Sequence, residues 1–393
     1  MDNSAQSPAL INPFMPGAGL QPVELAGRNY ELTLMRTLLG QISLGYQGVG
    51  MVFFGLRGVG KTVLLRRFAA MAEEAGMIVM QMEADGNAET ESSVLREQVQ
   101  RARKAVSSGE TLAEAGRHIA SVEVGLPLKL AVGFTADDTT ESDPYSNLEK
   151  LAEALKGSNR GLFLFIDEFQ QMNPDMMGRL ITLQHTLGQE GLPFYIIAAG
   201  LPNLPGVLSE SRSYAERLFR YRQLDNLSGE ESRNVFQQTA RQAGRSFTDE
   251  ALDALQEYAD GYPYAIQAFG SSAWDASSST PMDRDAVANG LPEARELLDE
   301  GLYHSRWQRA TPAGRRYMEA LAAVGGDAAS SAGVAAYLGK TSSQLSKTRA
   351  QLIEQGLIYM PLRGEVAFTV PGMGDYINRN HPPSSEPYDR EHQ

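Results

Sequence analysis

The chain has 393 residues, with 35 Lys and Arg against 48 Asp and Glu and 42% hydrophobic side chains, a globular composition long enough for two or three domains. The absence of cysteine excludes a disulfide scaffold, a cysteine nucleophile and a thiolate metal site, and five scattered histidines argue against an imidazole metal centre. A net charge of −13 argues against a chain that coats nucleic acid or anionic membrane over its whole surface.

Residues 1–20 are small, polar and proline-bearing and read as a flexible tail, as do residues 382–393. The start of the chain lacks the basic region and apolar run of a signal peptide, and no window approaches 18 uninterrupted apolar residues. The expectation is a soluble cytoplasmic protein without a membrane partner. Over residues 21–225 short apolar runs alternate with amphipathic stretches, which predicts an α/β domain around a parallel sheet. Its strand candidates are Met51–Phe54, Met77–Met82, Leu162–Ile166, Phe194–Ala199 and Leu218–Leu224. Between the second and third lies an insertion in which Val122, Val124, Leu126, Leu128, Leu130, Val132 and Phe134 alternate with other residues. That period of two predicts a strand or hairpin near 120–135 with one apolar face, an accessory hairpin packed on the domain, with a partner-binding surface as the alternative. Residues 226–290 read as helices only, a small helical domain. Residues 291–381 read as three helices followed by two short strands around Gly364.

The sharpest motif is the run from Gly55 to Thr62, GLRGVGKT, which follows an apolar strand and precedes a helix-competent segment. Glycines let the backbone curl so that successive N–H groups face phosphate oxygens, and the helix start adds its partial positive charge. Gly55, Arg57, Gly58, Val59, Gly60, Lys61, Thr62 and Val63 are therefore candidate nucleotide-binding residues. Lys61 reaches the β- and γ-phosphates, and the Thr62 hydroxyl can coordinate Mg²⁺. The candidate strand at Leu162 ends in Asp167-Glu168, which puts two acids at the sheet edge that carries the phosphate loop. Asp167 is the candidate for holding Mg²⁺ and Glu168 for polarising the attacking water. Asn203 follows the next strand and is a candidate contact for the γ-phosphate or the water; a plain turn is the alternative. Arg217 precedes the last strand and is a candidate for donation to a neighbouring subunit's nucleotide, with a surface charge as the alternative.

With these motifs the chain resembles AAA+ ATPases, and within them the Orc-like (archaeal-initiator-like) and STAND branch. The resemblance rests also on Asn12-Pro13-Phe14, on Val23-Glu24-Leu25-Ala26-Gly27-Arg28 before the stretch NYELTLMRTLLG, and on Gly261-Tyr262-Pro263-Tyr264. It implies an ATPase domain, a helical lid over 226–290, ATP with Mg²⁺ as the bound species, and nucleotide contacts from Arg28 and Pro263. One departure is that DGYPYAIQ holds Tyr264 where many AAA+ lids carry an arginine. A Gly-x-Pro there is similar to STAND switch ATPases, which points to slow, nucleotide-gated action.

Residues 291–381 resemble a winged helix-turn-helix, with Thr341–Gly356 as recognition helix. Leu345, Leu352 and Ile353 then face inward. Gln344, Lys347, Thr348 and Gln351 face outward, and Arg363 stands at the wing tip; these are the candidate contacts to double-stranded DNA. Tyr303, Trp307, Tyr317, Tyr337 and Tyr359 fit a small core better than a stacking platform, and Glu73-Glu74 and Glu230-Glu231 read as solvated helix faces. From Gly301 to Asn380 nine Lys and Arg oppose five Asp and Glu, a net +4 that leaves −17 for the rest. The expected function is a slow ATPase that acts as a nucleotide-dependent switch on a DNA-binding winged helix. The alternative is a regulatory scaffold with negligible turnover that works through protein contacts, as a homo-oligomer or with a regulatory partner.

Overall fold

The computed structural model describes residues 11–17, 27–108 and 143–382. The alternating segment at 122–134, the stretch Val23–Ala26 and the C-terminal tail from 383 lie outside the described residues. The chain divides into two compact units, one of Arg28–Gly55 with Lys61–Leu224, the other of Asp225–Gln393 with Met1–Gly27 and Leu56–Gly60.

The first unit is built on five parallel strands, β1 (Gly50–Gly55), β2 (Ile78–Glu83), β3 (Leu162–Asp167), β4 (Phe194–Gly200) and β5 (Phe219–Leu224), in the order β2-β3-β4-β1-β5. The three inner strands are almost continuous apolar runs because helices cover both faces of the sheet. The edge strands carry the polar residues: Gln81 and Glu83 on β2, and Arg220, Arg222 and Gln223 on β5 are exposed. Exposed polar residues along both edges discourage further strand pairing. All five expected strands are present, within one or two residues of their expected ends. The helix Lys61–Glu74 buries Leu64, Leu65, Phe68, Ala69 and Ala72 on one side, and Phe68 packs against Phe53 of β1 with ring centroids 5.1 Å apart.

The second unit is helical from Gly229 to Arg309, continues with further helices around a small antiparallel sheet, and closes with the helix Met373–Asn380. Its helices start at side-chain caps that the sequence spells out. Ser228 and Glu231 form a reciprocal capping box, so Glu231 is a cap rather than a purely solvated charge. Thr248, Asp283 and Thr311 cap the helices Asp249–Ala259, Arg284–Leu298 and Pro312–Gly325. Strands β6 (Ala328–Ser330), β7 (Ile358–Tyr359) and β8 (Glu365–Phe368) pair in the order β6-β8-β7. Buried residues from Leu227 to Ile377 form one continuous core, with no break at the 290/291 boundary drawn from sequence.

Three expectations need correction. Residues 12–15 are not a free tail: Phe14 is buried against Phe236, Phe247 and Gly270, and Asn12 donates to the Ser271 carbonyl at 3.1 Å. The helix expected from Thr341 begins at Ser346. Thr341 and Gln344 bond each other's backbone N–H groups, which closes a separate turn ahead of the helix. Tyr337 is exposed rather than in the core, whereas Tyr303, Trp307 and Tyr317 are buried.

Candidate functional site

Three consecutive inner strands deliver the site. In the order β3-β4-β1 their C-terminal ends carry Asp167-Glu168, Gly200 and the phosphate loop, all at one sheet edge. Gly58 and Gly60 hold φ of +78° and +92°, a region that side chains with a Cβ adopt at a cost. The loop ends where the helix Lys61–Glu74 begins, and a helix start carries a partial positive charge that suits an anion. Lys61 is buried and its ammonium donates to the Gly55 carbonyl at 3.0 Å, which keeps the charge within the loop.

Thr62 and Asp167 meet: the hydroxyl donates to Asp167 Oδ2 at 2.6 Å. Asp167 Oδ1 accepts the Glu168 backbone N–H at 2.9 Å, so both carboxylate oxygens are oriented. Paired parallel to β2, with Glu83 opposite Asp167, the strand end is fixed from the side as well. This donor set, a hydroxyl and a carboxylate beside an anion loop, suits Mg²⁺, which takes few protein oxygens and shares phosphate oxygens. Among the described residues no group of three or more His, Asp or Glu could hold a metal alone, so a cation here would depend on the nucleotide.

Glu168 adopts a left-handed backbone conformation with φ +49°, which is uncommon for a residue with a side chain. It is followed by the short turn Phe169–Gln171, anchored by the buried Phe169 and Met172. Its carboxylate accepts from Gln170 Nε2 at 2.6 Å and from Gln171 Nε2 at 3.4 Å. Sequence reasoning missed both glutamines, since nothing in Glu-Phe-Gln-Gln distinguishes them from ordinary loop residues. Asn203 lies just past β4, and its Oδ1 is buried without a hydrogen-bond partner among the described residues. An amide left so is an uncommon arrangement in a native fold and is suited to a ligand or an ordered water.

Arg217 lies elsewhere. It precedes β5, whose Phe219 pairs with Gly50 at the start of β1, so it stands at the sheet edge opposite the phosphate loop. It is exposed and lines a cavity of about 180 Å³ with Gly48, Gly50, Gln184 and Tyr195. Topology therefore denies it a role at the phosphate loop of its own chain. Arg28 is buried at the start of the helix Asn29–Ser43, where its carbonyl accepts from Leu32 at 2.9 Å.

Residues 56–60, the tip of the loop, belong to the second unit. The Arg57 N–H donates to the Thr369 carbonyl at 2.9 Å, and the Tyr262 hydroxyl donates to the Arg57 carbonyl at 3.0 Å. Gly58 lies so close to Tyr262 that a Cβ would sit 2.0 Å from the phenol oxygen. Burial pushes the Tyr262 phenol well above its ordinary value, so it stays a neutral donor. Pro263 is the first residue of the helix Pro263–Asp275 that follows. Tyr262 and Thr369 were not foreseen, because their role depends on partners about 200 and 300 positions away. In the C-terminal part Gln344, Lys347, Gln351 and Arg363 are exposed and Thr348 is half-buried, while Leu345 and Leu352 are buried.

Residues 24–197 match the family described as AAA ATPase domain, and residues 300–377 match a family described as a domain of unknown function. No curated protein matches the chain. Among solved structures, a Walker-type ATPase of Pyrococcus abyssi is 15% identical over 93% of this chain and 98% of its own, with a TM-score of 0.59. The RuvB Holliday junction branch migration motor of Thermotoga maritima aligns over 89% of this chain and 95% of its own, at 17% identity and a TM-score of 0.47. Cdc6p of Pyrobaculum aerophilum aligns over 92% and 96%, at 14% identity and a TM-score of 0.45. Among the described residues no helix is long and apolar enough to cross a membrane. The strand order and the phosphate loop agree with the match of residues 24–197 to the AAA ATPase domain family.

Proposed function

We propose that the chain binds ATP with Mg²⁺ at the phosphate loop, hydrolyses it slowly, and uses its nucleotide state to control a C-terminal winged helix that contacts double-stranded DNA. The observation that carries the nucleotide reading is the 2.6 Å bond between Thr62 and Asp167, which joins the phosphate loop to the acid strand. Gly58, Val59, Gly60 and Lys61 would hold the phosphates, and Thr62 and Asp167 the Mg²⁺, which supplies charge neutralisation when bound. Glu168 would take up a proton from the attacking water, and Asn203 would orient that water or the γ-phosphate.

The switch reading is supported by the tip of the loop. Both backbone polar groups of Arg57 bond to residues of the helical unit, Tyr262 and Thr369, so a change in the loop is felt at both. The DNA reading is supported by the exposed Gln344, Lys347, Gln351 and Arg363 in a region of net charge +4. A second reading, docking of a regulatory protein, is favoured by exposed Met360 and Leu362 beside Arg363.

Turnover and DNA binding test the proposal together. Lys61→Ala should abolish nucleotide binding, and normal hydrolysis by that variant would sink the site. DNA affinity measured over a salt series, with and without ATP, should fall with salt, respond to ATP and drop in Lys347→Glu. No binding at low salt would transfer the C-terminal role to protein docking.

A further inference from the structure

The side chain of Gln170 bridges two parts of the candidate ATPase site. Its Nε2 donates to Glu168 Oε2 at 2.6 Å, and its Oε1 accepts the Leu201 backbone N–H at 3.0 Å. The orientation of this amide is fixed by chemistry, since a carboxylate can only accept and a backbone N–H can only donate. One end thus holds the acid assigned to water activation, the other the chain leaving β4 two residues before Asn203. The approach is tight on the β4 side: a Cβ on Gly200 would lie 2.2 Å from Gln170 Oε1. Glycine at 200 is what lets the amide sit there. Glu168 itself, in its left-handed conformation, points its carboxylate back to this amide across the turn Phe169–Gln171.

We propose that Gln170 is a positioning residue for ATP hydrolysis, setting the place of the Glu168 carboxylate according to the position of the Leu201–Asn203 segment. This rests on the reading of Glu168 as the water-activating acid. A hydrogen bond to an ionised acceptor is stronger and shorter than a neutral one, so the bridge holds Glu168 against reorientation. A displacement of the segment after β4 reaches the carboxylate through a single side chain. Gln170 touches neither nucleotide nor water in this role.

The test uses the full chain. Gln170→Leu keeps the bulk and removes both bonds; kcat should fall roughly 10–100-fold, as for misplaced catalytic groups, while KM for ATP and nucleotide affinity stay within about twofold. Gly200→Ala should produce the same kcat-selective loss from the opposite side, and the double variant should be no worse than Gln170→Leu alone. Amide hydrogen exchange at Leu201 should accelerate in Gln170→Leu without nucleotide, a readout independent of turnover. Wild-type kcat in Gln170→Leu, a parallel loss of affinity and melting temperature, or multiplicative defects in the double variant would each overturn the proposal. Glu168→Gln separates the two levels. If it hydrolyses normally, the assignment of Glu168 fails and Gln170 with it; if it is inactive while Gln170→Leu is normal, only the bridge fails.

Discussion

The Thr62 hydroxyl donates to Asp167 Oδ2 at 2.6 Å, although 105 positions separate the two residues in sequence. The bond exists because β1 and β3 flank β4 in a parallel sheet, so the strand ends carrying these residues emerge at one edge. A donated hydroxyl keeps its lone pairs, and these with the carboxylate make a hard-oxygen site. Thr62→Val, which keeps the shape and removes the oxygen, should raise the free Mg²⁺ needed for half-maximal turnover about 10-fold or more. A Mg²⁺ titration of turnover checks this, and an unchanged midpoint would remove Thr62 from the cation site.

Gly58 combines a φ of +78° with a near approach to the Tyr262 hydroxyl. Gly58→Ala therefore faces a backbone cost of about 1–2 kcal/mol for the left-handed region, in addition to the clash. Expected are a lower melting temperature and a smaller upward shift on adding ATP than the wild-type chain is expected to show. A melt of the variant with and without ATP decides the matter.

Asp327 accepts the backbone N–H groups of Gly372 at 2.6 Å and Gly374 at 2.8 Å, at the start of the helix Met373–Asn380. Asp327→Ala should cost about 1–3 kcal/mol, measured by denaturant unfolding. Burial raises the Asp327 carboxyl above its ordinary 3.8, in spite of these two bonds. A raised acid binds its proton more tightly when folded, so its contribution is present below about 3.8 and declines as pH rises through the raised value. Asp327→Asn should flatten that decline in a stability-against-pH curve.

Arg217 stands at the opposite sheet edge from the phosphate loop of its own chain, so any action on nucleotide must be on another copy. Arg217→Ala should lower turnover at least about 10³-fold if the arginine is donated to a neighbour. Mixing Arg217→Ala with Lys61→Ala chains should then recover part of the activity, since each supplies what the other lacks. Wild-type turnover in Arg217→Ala would make it a surface charge.

The parallel sheet was legible in sequence because its inner strands are continuous apolar runs bounded by glycine or by acids, as in LFLFIDE. The phosphate loop was legible because backbone chemistry demands glycine and lysine at fixed spacing. Less visible were side chains whose role is set by remote partners. Gln170 matters through Leu201, Tyr262 through Arg57, and Phe14 through Phe236 and Gly270; none of these pairs leaves a periodic trace. The start of the helix expected from Thr341 was misjudged for a local reason. Thr341-Ser-Ser-Gln344 has the pattern of a helix cap, and it does form that cap's bonds, but the turn closes on itself before Ser346.

The bonds at Arg57 also decide where this polypeptide can be cut. A fragment ending at Leu224 would retain β1 to β5, Lys61, Thr62, Asp167 and Glu168, yet lack the Tyr262 donor and the Thr369 acceptor that Arg57 uses. Its phosphate loop would keep the same sequence and lose the bonds that set its tip. A piece of this chain that keeps both bonds must extend to Thr369, well beyond β5.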